Sequence, residues 1–274
     1  MLLRGLMKES GPLYLFKNMN RLTREIFMYR ILPNIFMDLM DKYFRLDIEG
    51  LENIPKHDAA LICPNHSGFA GFDAMVLTHE IFKNSHRIPR VMTHKLWFAS
   101  RFTATHASKM GYVEATTQNG LNELRNNHLL ILFPEGEHGN FKATFEAYKL
   151  QEFKRGFVRM ALKTGAPIIP TVVIGAEETN INLKKLDFGK FINNLILPLP
   201  FNIVPLPVKW KLKFLEPIYL NHPPSAANNA DIVHEISMEV RQKLQDAIEL
   251  EIENRPGIFI KRPPWLKRIL KGRL

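Results

Sequence analysis

His66 follows an apolar run, Ala59 to Pro64, and Asp73 comes after it across a glycine-containing stretch, Ser67-Gly68-Phe69-Ala70-Gly71-Phe72. An imidazole titrates near neutrality, so it can take a proton from an alcohol, and a carboxylate on its other nitrogen fixes the tautomer and stabilises the cation that forms. The pair has the parts of a general base with an orienting acid. The plainer alternative is that Asp73 caps a helix over 72–84 and His66 is a loop residue. A second polar group leaves another apolar run in Leu132-Phe133-Pro134-Glu135-Gly136-Glu137-His138-Gly139. Gly136 lets backbone amides approach an anion, and Glu135 stands where a substrate hydroxyl can be held. A metal site from Glu135, Glu137 and His138 matches no dedicated ligand spacing, so no metal is expected. Ser67 beside His66 invites a serine hydrolase, but the chain contains no Gly-x-Ser-x-Gly elbow, and neighbours in an extended segment point to opposite sides.

Such groups need a frame. From residue 58 onward short apolar runs alternate with helical patterns, as in a layered βα fold. The runs are Ala59 to Pro64, Pro89 to Met92, Tyr112 to Ala115, Leu129 to Phe133, Pro167 to Gly175 and Trp210 to Ile218. Between them helices are predicted over 72–84, 118–127 and 154–164, and a long charged one over 231–253 carries an apolar stripe of Ile232, Ile236, Val240, Leu244 and Ile248. The expected fold class is α/β, with a central, mostly parallel sheet whose strand carboxyl ends gather the functional groups. Residues 12–48 read as helical with apolar positions at steps of three and four, Pro33 separating two helices of an N-terminal amphipathic hairpin. The organisation expected is therefore membrane-associating helices over 1–49, a catalytic domain over 50–255 and a basic amphipathic tail over 256–274.

The chain has 274 residues, 46% of them hydrophobic. That is too many for a disordered chain, while a mean hydropathy of −0.13 is too polar for a protein made mostly of spanning helices. Cys63 is the single cysteine, which excludes an intrachain disulfide and argues against a cysteine-based zinc site; a reducing compartment, most simply the cytosol, is expected. Arg4, Lys8 and Glu9 interrupt the first apolar residues, so no signal peptide is expected. The longest stretch without charge, Phe191 to Val208, contains four prolines and reads as an irregular segment, buried or dipped into a membrane surface, and not as a spanning helix.

Pro64-Asn65-His66 leading to Asp73, then Phe133-Pro134-Glu135-Gly136, then Ala166-Pro167-Ile168-Ile169-Pro170 resemble in order and separation the first, third and fourth blocks of the glycerolipid acyltransferases of the 1-acylglycerol-3-phosphate acyltransferase type. The resemblance covers roughly residues 50–220. It implies transfer of an acyl group from acyl-CoA or acyl-carrier protein to a glycerolipid hydroxyl, lysophosphatidic acid or a related lysophospholipid, with no further cofactor. His66 would be the general base, Asp73 its orienting acid, and Phe133, Pro134, Glu135 and Gly136 would position the acceptor. Two departures stand out. The family usually separates His and Asp by four residues, which would place the acid at Gly71, whereas six intervene here. The second block, Gly111-Tyr112-Val113-Glu114-Ala115-Thr116-Thr117, lacks the Arg thought to hold acceptor phosphate. Lys95 can supply that charge, as can Lys142, Lys149, Lys154 and Arg155, which otherwise read as a solvated basic helix edge. Together with Phe153-Lys154-Arg155-Gly156 and Val173-Ile174-Gly175-Ala176-Glu177-Glu178, the third block looks closer to a branch of bacterial and transmembrane-protein-like acyltransferases, which brings mono- and diacylglycerols into view as acceptors. A non-catalytic lipid-binding protein on the same frame is the third possibility.

The net charge of +10 is concentrated at one end. The last twenty residues carry seven Lys and Arg and no Asp or Glu, leaving 30 positive and 27 negative charges in the other 254. Trp265, Leu266, Ile269 and Leu270 are interleaved with them, an arrangement suited to an interfacial helix on anionic lipid. No C2H2 spacing, RNP-like run or leucine heptad accompanies the charge, so a nucleic-acid partner is not expected. The expected partners are a glycerolipid, an acyl thioester and an anionic membrane surface, and the expected location is peripheral, on the cytoplasmic face.

Overall fold

A computed structural model describes residues 20–66, 71–140, 142–187, 196–202, 204–255 and 257–258. Residues 1–19, 67–70 and, but for 257–258, the basic tail over 256–274 lie outside the described residues. The chain divides into two compact units, Met1–Met40 and Asp41–Leu274.

In the first unit the chain is helical from α1 (Arg21–Ile26) through a π-turn (Phe27–Ile31) into α2 (Leu32–Phe44). Asn20 caps α1, its side-chain oxygen accepting from the Thr23 amide. Pro33 thus does not separate two helices, contrary to the sequence expectation. A proline lacks an N–H and its ring crowds the carbonyl one turn back. The π-turn just before it widens the helix there, with the Leu32 amide reaching the Phe27 carbonyl. Leu22, Ile26, Met28, Ile31, Leu32, Ile35, Phe36 and Leu39 are all exposed. No described helix is long and apolar enough to cross a membrane.

The second unit is built on a seven-stranded sheet. In chain order its strands are β1 (Asp47–Glu49), β2 (Ala60–Pro64), β3 (Arg90–Thr93), β4 (Tyr112–Glu114), β5 (Leu129–Ile131), β6 (Ile168–Ile174) and β9 (Lys211–Phe214), arranged β1-β9-β6-β2-β5-β3-β4. All neighbours are parallel except β6 and β9. β1 falls in the stretch expected to be helical through residue 48; α2 stops at Phe44, and Arg45 takes a positive φ of 48°. Helices α3 (Phe72–Ser85), α4 (Arg101–Lys109), α5 (Thr117–Arg125), α6 (Glu137–Asn140), α7 (Gly156–Thr164), α8 (Ala176–Thr179) and α9 (Ala230–Asn254) connect or cover the strands. Part of the segment expected to be irregular, 191–208, is regular: β8 (Ile196–Pro200) pairs antiparallel with β7 (Asn182–Asp187).

Buried parallel strands need apolar side chains on both faces, and β2 and β6 are buried at every position. α7 packs Phe157, Val158, Met160, Ala161 and Leu162 into this core, and α9 packs Val233, Ile236, Val240, Leu244 and Ile248. α9 therefore follows the expected stripe except at its first turn, where Val233 is buried and Ile232 only partly so.

Candidate active site

Strand register alone brings the two polar motifs together. β2 pairs in parallel with β5, Ala60 opposite Leu129 and Ile62 opposite Ile131, and the same offset carried past the strand ends sets His66 opposite Glu135. The contact exists: the His66 amide donates to Glu135 Oε1 at 2.9 Å. On the other side of β2, Asn65 is fully buried and bridges to β6. Its Nδ2 donates to the Val173 carbonyl at 2.9 Å, and the Val173 amide donates to Asn65 Oδ1 at 2.7 Å. The backbone around His66 is thus tied to both neighbouring strand ends.

The ring is held as firmly. His66 Nδ1 lies 2.7 Å from Asp73 Oδ2, with the Asp73 side chain fully buried and that of His66 14% exposed. Asp73 sits in the first turn of α3, where the helix dipole favours a carboxylate, and its Oδ1 accepts from the Ala74 amide at 2.8 Å. Phe133 stacks on the imidazole with ring centroids 4.0 Å apart. Because Nδ1 faces Asp73, Nε2 is the ring nitrogen placed to exchange a proton with a substrate.

The other expected site residues divide. Pro134 is buried, and its carbonyl accepts from the Lys154 amide at 2.8 Å. Gly136 turns the chain at a φ of 58°, and a Cβ there would meet Lys154 Nζ at 2.9 Å, so the exposed Lys154 ammonium lies directly over this loop. Glu135 was expected to face the acceptor, but it is 1% exposed. Its oxygens take the amides of His66 and Gln151, the latter at 2.7 Å, and the Lys142 ammonium stands 3.3 Å away. In this structure Glu135 holds His66. Lys142 is likewise no solvated cation: it is 4% exposed and donates to Glu177 Oε1 at 2.9 Å. Glu137 and Glu135 turn to different partners, His94 Nε2 lying 3.2 Å from Glu137 Oε1. Lys95 is exposed on a one-turn 3-10 helix, Lys95–Phe98, just after β3 and next to His94.

Asn65, Tyr112, Lys142 and Glu177 are the positions whose roles sequence reasoning missed. Tyr112 stands edge-on to Trp97, and burial together with the Asp73 charge pushes its phenol above the usual range. The signal available for Asn65 was its place directly before His66 at the end of a buried strand.

A histidine on a buried carboxylate, at the carboxyl ends of adjacent parallel strands, is a site for proton transfer to and from an oxygen nucleophile. Residues 45–174 match the model of the acyltransferase family. Uncharacterised proteins of Mycobacterium tuberculosis and Mycobacterium bovis are 34% identical over 230 residues, and one of Mycobacterium leprae is 33% identical over 232. These matches cover 79% of this chain and 63–64% of the relatives, so the chain spans somewhat under two thirds of their length. The fold is that of the 1-acyl-sn-glycerophosphate acyltransferase PlsC of Thermotoga maritima, with a TM-score of 0.55, 17% identity and coverage of 90% of this chain and 89% of that one.

Proposed function

We propose that this chain is a glycerolipid O-acyltransferase working at a membrane surface, with an acyl thioester of CoA or acyl-carrier protein as donor substrate and no further cofactor. The observation that carries the reading is the His66–Asp73 pair at 2.7 Å, with the Asp73 side chain fully buried and that of His66 14% exposed.

His66 Nε2 takes the proton of the acceptor hydroxyl as its oxygen attacks the thioester carbon. The imidazolium is stabilised by Asp73, the C–S bond breaks as the tetrahedral intermediate collapses, and the thiolate leaves with the proton from Nε2. No covalent enzyme intermediate is needed. Lys154 over Gly136, with Lys95 on the neighbouring turn, supplies positive charge for a lysophosphatidic acid or related lysophospholipid headgroup. The burial of Lys142 and the absence of Arg from Gly111–Thr117 leave fewer cations for a phosphate and favour, as the second reading, a mono- or diacylglycerol acceptor. The exposed apolar side chains of residues 21–40 support docking to a membrane, here assigned to the cytoplasmic face.

The test is incubation of purified protein with radiolabelled acyl-CoA, then acyl-carrier protein, against lysophosphatidic acid, other lysophospholipids, monoacylglycerol and diacylglycerol. Labelled product from a lysophospholipid is expected. Product from neutral glycerides alone selects the second reading, and product from none moves the chain to a lipid-binding role without catalysis.

A further inference from the structure

We propose that the buried Lys142–Glu177 ion pair holds Glu135 in place and thereby fixes the backbone of His66, making Lys142 a positioning residue for the reaction proposed above, on which this inference rests.

The geometry runs in one line of contacts. Glu177, at the start of α8 beyond the end of β6, accepts from Lys142 Nζ at 2.9 Å through Oε1 and from the Tyr148 amide at 2.6 Å through Oε2. Lys142 Nζ lies 3.3 Å from Glu135 Oε2, and Glu135 Oε1 takes the His66 amide at 2.9 Å. The three side chains are no more than 5% exposed. A carboxylate so buried is costly unless its charge is matched and its lone pairs are used. Glu135 meets both demands with two backbone amides and one ammonium, and both amides need an acceptor. A Gln there would turn an NH2 group toward one of two N–H donors, so the charge and the shape of the carboxylate are both needed.

Burial alone would drive the Lys142 ammonium toward neutrality, yet Glu177 and Glu135 together hold it charged, above the usual lysine range. Burial also raises Glu177, toward its protonated form, and the Lys142 ammonium opposes that shift. Lys142 thus stands between two acids, 3.3 Å from Glu135 and 2.9 Å from Glu177, and the assembly depends on it. The segment carrying the Gln151 amide is pinned from α9. Arg241 Nε donates to the Gln151 carbonyl at 3.0 Å, and the Leu150 amide donates to Gln245 Oε1 at 2.9 Å. Glu135 is therefore the joint between the hydrogen-bonded assembly of α8, α9 and Lys142 and the strand end that carries His66.

Two measurements on Lys142→Met test this, one independent of activity. Hydrogen exchange read by mass spectrometry should show the peptide containing the His66 amide exchanging roughly tenfold faster or more, with peptides of β6 and α9 unchanged. Unchanged exchange at His66, or equal acceleration in β6 and α9, overturns the proposal, because the second outcome marks a merely fold-supporting ion pair. If the wild type transfers acyl groups, kcat should fall about 10- to 100-fold with KM for donor and acceptor within about threefold. An unchanged kcat overturns the inference while leaving the function intact, and an inactive wild type overturns the function while the exchange result still decides the inference. Glu177→Gln keeps an acceptor for Tyr148 and should move both readouts the same way by a smaller factor, which covers the case in which Lys142→Met does not fold.

Discussion

Asp73 lies seven residues beyond His66 and still sets its Oδ2 2.7 Å from Nδ1, because its place is fixed by a helix and not by the length of the connecting loop. β2 ends at Pro64 and α3 begins at Phe72, so the acid rides in the first turn of a 14-residue helix while Gly71, where the usual family spacing would put it, only leads into that helix with a φ of 74°. The longer connection is thus absorbed before α3 begins. Loop closure depends only weakly on length, so two additional residues cost little.

His66→Ala should lower acyl transfer about 100- to 10,000-fold, the range general-base assistance supplies. Asp73→Asn should lower it by a comparable factor, because an amide in place of Oδ2 can present a donor to Nδ1 and favour the wrong tautomer. Initial rates with the acceptor identified by the lipid panel are the measurement, with circular dichroism to establish that both variants fold. Retention of more than a tenth of wild-type rate by His66→Ala would remove the base from the mechanism.

His66 and Glu135 were legible because each stands just past a continuous apolar run, and in a parallel sheet such runs end where functional groups gather; Asp73 was legible only as a carboxylate at a helix start across a glycine-containing stretch. The same runs place β2, β5 and β6 to within a few residues. α4 was missed because it buries only Ala107 and so lacks an apolar stripe. β8 was hidden by Pro198 and Pro200, because proline is normally excluded from strands, and β7, with its two adjacent lysines, shows no apolar run. What Lys142 and Glu177 do could not be read at all: they are 35 residues apart and meet through tertiary packing, and a lysine in a polar loop carries no local sign of burial. The same holds for Glu135, whose partners are two backbone amides, which any sequence would supply, and the Lys142 ammonium.

Asn65→Ala should destabilise the second unit by about 2–4 kcal/mol, since it leaves both the N–H and the C=O of Val173 buried without their side-chain partner. Urea unfolding followed by tryptophan fluorescence reads this directly. Asn65→Asp is the sharper companion: a carboxylate can accept from the Val173 amide but repels its carbonyl and is buried there without a matching cation, so near pH 7 it should be at least as destabilising as Ala. An Asp variant as stable as wild type would mean that the bond to the carbonyl contributes nothing.

Glu80 on α3 is buried beside Asp41, and burial together with that neighbour pushes its carboxyl up to about 7 from 4.5. The folded chain then binds a proton there that the unfolded chain has released. The stability this group contributes is full below pH 4.5 and is lost as pH rises from 4.5 through about 7. Asp41 moves the other way; burial opposes, but hydrogen bonds with His79 and Glu80 hold it below its usual 3.8, outside that window. Glu80→Gln should therefore match wild type near pH 4.5 and exceed it near pH 8 by on the order of 1 kcal/mol, the half-exposed Lys83 screening part of the effect. Urea midpoints across that range decide it, and a constant difference between the two proteins would mean that Glu80 does not titrate there.

The apolar side chains on residues 21–40 make the membrane reading testable without touching the site. Ile35 and Leu39 lie one turn apart on α2 and are 59% and 63% exposed, so charges there should leave the unfolding midpoint within about 0.5 kcal/mol of wild type. Burying each in a lipid interface should be worth about 1–2 kcal/mol, so Ile35→Glu with Leu39→Glu should weaken binding to anionic vesicles roughly tenfold or more. This loss should persist at high salt, because it is apolar in origin and only weakly screened. Deletion of residues 261–274, which removes six basic side chains, should instead weaken binding at low salt and matter less as salt rises. Cosedimentation at two salt concentrations separates the two contributions, and unchanged sedimentation of the double Glu variant would take the helix face out of the membrane contact.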